Sequence, residues 1–156
     1  MYRILKLLHL LGLTLFLGSI FGHIVASVLG GGPDSPNFLF ARNDIVAATQ
    51  VLTLPGLGLA TLSGMGMAIV SRLSPLRVRW LAVHGVLALT VVIVALAVIV
   101  PAGREMLHGA AALRDGSPDG GVARVLAAKH TEDMAGGINI LLILTIMAIG
   151  VWKPKL

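Results

Sequence analysis

The sequence predicts an all-α integral membrane protein, a four-helix up-down-up-down bundle with both termini in the cytoplasm. Three observations lead there. Of 156 residues, 56% are hydrophobic and 12% charged, and the mean hydropathy is +0.94, a balance foreign to soluble domains. The apolar residues gather in four runs, centred on residues 4–29, 45–70, 80–100 and 134–152, of a length that suits a hydrocarbon core of about 30 Å. The charges sort by side: Arg3, Lys6, Arg72, Arg77, Arg79, Lys153 and Lys155 flank one end of the runs with no acid among them, and all seven acids lie with Arg42, Arg104, Arg114, Arg124 and Lys129 at the other. The positive-inside rule then places both termini and the loop after the second run in the cytoplasm.

The first run opens behind Arg3 and Lys6, as a signal peptide would. It is too long for a signal core and no small-x-small site follows it, so an uncleaved span is expected. Gly30 to Asn37, rich in glycine and proline, stops it. The second run carries Pro55 among Gly56, Gly58, Gly64 and Gly66, which predicts a kinked, closely packed helix. A basic loop from Ser71 to Arg79 ends it. The third run starts at the interfacial Trp80, and helix formers beyond Pro101 allow it to continue to Arg114. A turn at residues 115–121 precedes a helix-favouring segment from Val122, which leads into the fourth run. The whole chain reads as one transmembrane domain without internal repeats.

Several kinds of chemistry are excluded by what is missing. The chain has no cysteine, hence no disulfide, no thiolate ligand and no thioether-bound haem. The net charge of +5 is explained by topology, so no nucleic-acid partner is expected. No nucleotide loop or zinc-protease motif occurs. Glu132 and Asp133 beside His130 suit a divalent metal or simply the acidic first turn of a helix, and Asn139 suits contact between helices.

The histidines remain. An imidazole inside a membrane span needs a hydrogen bond, a proton path or a metal. His9 and His23 are 14 residues apart on the first run, on nearly one face and roughly 21 Å apart along the axis. Counting in from the cytoplasmic ends sets His9 level with His84 of the third span, and His23 level with His130 of the fourth. Facing histidines in a helical bundle can hold b-type haem through both axial positions. The expected ligand pairs are therefore His9 with His84 for one haem b near the inner surface, and His23 with His130 for a second. His108 fits neither level, and Arg104 is a candidate contact for a propionate or a quinone. Gly18 and Gly22, at GxxxG spacing, suit a homo-oligomer.

The run Leu5-Lys6-Leu7-Leu8-His9, the early proline of the second span, Trp80-Leu81-Ala82-Val83-His84 and the closing Lys153-Pro154 resemble small bacterial four-helix membrane proteins. These include the haem-containing type of protoporphyrinogen oxidase and the membrane part of copper-resistance permeases. The resemblance implies haem ligation at His9 and, by extension, tetrapyrrole oxidation in a bacterial cytoplasmic membrane. It departs at His84, where those oxidases carry lysine, and between Phe38 and Gln50, where Arg42 is the lone basic residue. The leading expectation is a b-type haem protein that passes electrons between a membrane donor such as a quinol and a redox partner. A protoporphyrinogen oxidase-like enzyme and a cofactor-free transport or assembly subunit are the alternatives.

Overall fold

The computed structural model describes residues 1–74, 78–116 and 121–154. Arg77 of the basic loop, residues 117–120 of the second turn and Lys155 lie outside the described residues. Four helices are long and apolar enough to cross a membrane: α1 (Tyr2–Gly30), α2 (Phe38–Val70), α3 (Arg79–Arg114) and α4 (Val122–Trp152). The second begins seven residues before the expected run, because Phe38 and Ala41 bury themselves against neighbouring helices and carry the helix through the polar Asn43 and Asp44. The third runs past Pro101, and the fourth takes in the whole stretch from Val122.

Both prolines are accommodated in the same way. A proline ring collides with the carbonyl four residues back and donates no hydrogen bond. In α2 the turn Thr49–Thr53 widens to π geometry just ahead of Pro55, with the Leu54 N–H donating to the Thr49 carbonyl. In α3 the turn Ala95–Ile99 does so ahead of Pro101, with Val100 N–H donating to Ala95. Each widened turn makes room for the ring without ending the helix.

The first two helices meet with rising numbers on one against falling numbers on the other: Leu5 lies beside Gly66, His9 beside Gly64, Gly12 beside Ala60 and Gly30 beside Ala41. At the crossing only glycine fits. A Cβ on Gly12 would stand 2.5 Å from the Ala60 nitrogen, and one on Gly56 would stand 2.7 Å from the Phe16 nitrogen. The last two helices also run oppositely, with His84 beside Gly150, Asn139 beside Val91 and Gly109 beside Val125. The Lys153 ammonium, 5.8 Å from the Trp80 ring centroid, ties the end of α4 to the start of α3.

Two apolar cores follow from this packing. Phe16, Leu57, Val91, Ala95 and Ile143 form one in the middle of the bundle. Phe38, Met106, Ala110 and Val125 form the other, where α2 begins and α3 and α4 extend beyond the apolar runs. Elsewhere the helices turn large apolar side chains outward, among them Leu7, Val25, Leu62, Val86 and Leu141. So much exposed apolar surface requires lipid around it. Gly18 and Gly22 lie on an open face of α1, with nothing within 4 Å of where a Cβ would stand.

Candidate functional site

Polar groups enter the bundle at two levels, and the levels differ in kind. At the level of the two termini, here the inner level of the bundle, His9 and His84 are half-buried. His9 Nδ1 lies 2.8 Å from the Ala60 carbonyl oxygen. A carbonyl only accepts, so Nδ1 carries the proton and Nε2 keeps a free lone pair. Ser63 Oγ stands 3.5 Å from the same nitrogen. His84 Nδ1 is buried and has no hydrogen-bond partner among the described residues. Gly64 and Gly150 let the two rings approach their neighbouring helices, since a Cβ on either glycine would stand 3.3 or 3.4 Å from the imidazole Cε1. Around this level Arg3, Lys6, Arg72, Arg79 and Lys153 are all exposed.

At the outer level the helices part around a cavity of about 330 Å³ with contributions from all four. Its walls are largely apolar: Phe16, Ile20 and Ile24 of α1, Ile45, Val46 and Leu54 of α2, Ile99 and Val100 of α3, and Ile140 of α4. Both π turns contribute, through Thr49, Gln50 and Thr53 on one side and Ala95 and Ile99 on the other. Each widened turn carries an extra residue ahead of its proline, and residues of both turns stand in the cavity wall. Ser19 and Thr53 close part of the wall with a 2.8 Å hydrogen bond between hydroxyls.

An ion pair the sequence reading did not join sits at this level. Arg42 is only 2% exposed, and its Nη1 donates to Glu132 Oε2 at 2.9 Å. The guanidinium also lies 5.7 Å from the Phe38 ring centroid and 3.6 Å from Met106 Sδ. Arg42 and Glu132 both line the cavity. Their pairing spans 90 positions, and the signal was a single cation in the apolar stretch that opens α2, set on the same side of the membrane as Glu132.

His23 lines the cavity with these two, and its Nε2 is buried without a partner among the described residues. His130 is exposed and is not among the lining residues, so it stands outside the space His23 enters, and His9 and His84 lie near the starts of α1 and α3. His108 is exposed on α3. Arg104 is exposed at the cavity rim, as is Asp133, which pairs with Lys129 at 2.7 Å. Among the described residues no three histidine, aspartate or glutamate side chains converge, which leaves Glu132, Asp133 and His130 without the geometry of a divalent-metal site. Asn139 is 3% exposed, with Nδ2 facing the Val91 carbonyl at 3.5 Å and Oδ1 unpartnered.

The family described as predicted integral membrane protein (DUF2269) matches residues 3–154, and the chain belongs to it. The match supplies a membrane family and carries nothing on tetrapyrrole oxidation or copper. No curated protein and no solved structure matches the chain.

Proposed function

We propose that this member of the family is a b-type haem protein of the bacterial cytoplasmic membrane, with its four helices running up-down-up-down and both termini inside, and that it relays electrons between a membrane donor and a partner. The observation that carries the reading is the His9 hydrogen bond to the Ala60 carbonyl. A ring held by Nδ1 presents Nε2 in a fixed direction and raises its basicity, which is how protein carbonyls commonly prepare histidine for a metal. His84 would supply the second imidazole from another helix, and its buried Nδ1 has no partner among the described residues. The five exposed cations at this end of the bundle suit the two carboxylates of a haem.

Haem bound there would supply a one-electron couple, its potential set by two imidazoles and by burial. The chain's own part is to hold the rings, keep Nδ1 of His9 protonated and exclude water. The outer level supports the reading less well: His23 lacks a second histidine in the cavity, and the buried charges there already neutralise each other. One haem at the inner level is therefore the proposal.

Histidine variants purified from haem-replete cells test it. His9→Ala and His84→Ala should each lose the b-type absorbance, with His23→Ala and His130→Ala unchanged. Loss of haem in His23→Ala alone would overturn the assignment to the inner level.

A further inference from the structure

Polarity is graded along the outer cavity. Its charged wall residues Arg42, Arg104 and Glu132 stand 28, 25 and 20 residues from Val70, Arg79 and Trp152, the helix ends on the side of the termini. At about 1.5 Å per residue that is roughly 30 Å or more, the full thickness of a hydrocarbon core. The apolar wall residues Leu54, Ala95 and Ile140 stand only 16, 16 and 12 residues from the same ends. The cavity therefore has its charges at headgroup height and its apolar floor within the membrane. Ile24 and Gly137 belong to the wall and are exposed, so the space opens sideways to lipid.

The charges at this end are also unevenly matched. Of its five cations, Arg42 pairs with Glu132, Arg114 with Asp115, Arg124 with Glu105 and Lys129 with Asp133. Arg104 has no ion-pair partner among the described residues, and it is the exposed cation of the cavity rim. We propose that the cavity binds a single-chain amphiphile with a monoanionic head, taken from the membrane leaflet away from the termini, with the head at Arg104 and the chain lying inward along Ile20, Phe16 and Ile140.

Each part of the ligand answers a feature of the site. The inward walls offer apolar contact, which an inorganic anion or a polar metabolite cannot use. A volume of about 330 Å³ is at the small end of the roughly 300–1,000 Å³ usual for ligand sites, which suits one chain better than two. A guanidinium with a free fork binds a carboxylate or a phosphate oxygen pair. The head stays at the rim because the buried cation, Arg42, already donates to Glu132 at 2.9 Å, and one free cation balances one negative charge.

This proposal goes beyond the haem reading and does not need it, since binding is read on the protein with or without haem. The test uses the full chain in phosphatidylcholine nanodiscs at mildly alkaline pH, where a carboxylate is ionised. Dodecanoate with a diazirine at its chain end is the probe, and the labelled residues are mapped by mass spectrometry. Labelling should saturate and fall on Phe16, Ile20 or Ile140. Unlabelled dodecanoate and lysophosphatidylglycerol should compete, and dodecanol and lysophosphatidylcholine should not; the stronger of the two anions tells a free carboxylate from a lipid phosphodiester, and either supports the site. Arg104→Gln should weaken binding about tenfold, the worth of one charge-assisted hydrogen bond, Arg104→Lys should restore most of it, and Arg114→Gln, an exposed cation outside the cavity, should leave it unchanged. Labelling confined to lipid-facing residues such as Leu62 and Leu141, equal competition by dodecanol, or undiminished binding in Arg104→Gln would each overturn the proposal.

Discussion

The inner and outer halves of this bundle handle buried polarity in opposite ways. In the inner half, two histidines sit among glycines, one of them held by a neighbouring helix's carbonyl, inside a collar of exposed cations. In the outer half, a neutral ion pair stands in the wall of an open cavity. The difference traces to two features of sequence. Glycines at positions 12, 56 and 64 let α1 and α2 approach closely on the inner side, while the π turns ahead of Pro55 and Pro101 supply part of the cavity wall on the other. Close packing favours fixed ligand geometry, and a cleft favours an exchangeable guest.

The comparison can be broken most forcefully at Glu132. Removing it in Glu132→Ala leaves the Arg42 guanidinium charged and unpaired in a site that is 2% exposed, a loss of about 3–5 kcal/mol. Thermal unfolding of the solubilised protein, followed by circular dichroism, should show a large fall in Tm. Glu132→Gln, which keeps an acceptor, should fall less. An unchanged Tm in the alanine variant would mean that the pair does not organise the outer half.

Gly56→Ala probes the other half. The added Cβ would meet the Phe16 nitrogen at 2.7 Å and the Gly12 carbonyl oxygen at 2.9 Å, both backbone atoms that cannot rotate away. The helices must separate, at about 1–3 kcal/mol, and because Phe16 belongs to both the central core and the cavity wall, the shift should reach both levels. Loss of haem together with reduced stability is the expected result. A smaller effect is expected from Thr53→Val, which removes one partner of the 2.8 Å hydrogen bond to Ser19. It should lower stability by about 1 kcal/mol and leave the inner histidines alone, as a haem spectrum unaltered from wild type would demonstrate.

Much of the fold was legible in the sequence because lipid imposes strong rules. Apolar runs had to become spans, and the stretches after Pro101 and from Val122 were open to helix extension, which the structure realises. The start of α2 was not legible. Asn43 and Asp44 read as loop, and only burial of Phe38, Ala41 and Ile45 against other helices explains why the helix begins at Phe38. The expectation of one level for His9 and His84 rests on counting residues from a charged end close to both. The exposure of His130 lay beyond such counting, which gives depth along a helix and not the direction of a side chain. The Arg42–Glu132 pair lay beyond sequence reasoning for a different cause: each residue alone looks like an interfacial charge, and only the packing of α2 against α3 and α4 buries them together.

The most direct measurement is the reduced-minus-oxidised absorption spectrum of the purified wild-type protein, with pyridine haemochrome quantification per chain. One b-type haem per chain is the predicted result, in keeping with one prepared histidine pair and a neutral outer cavity. Protein that stays colourless after full haem supply would contradict the haem reading, and two haems per chain would contradict its confinement to the inner level.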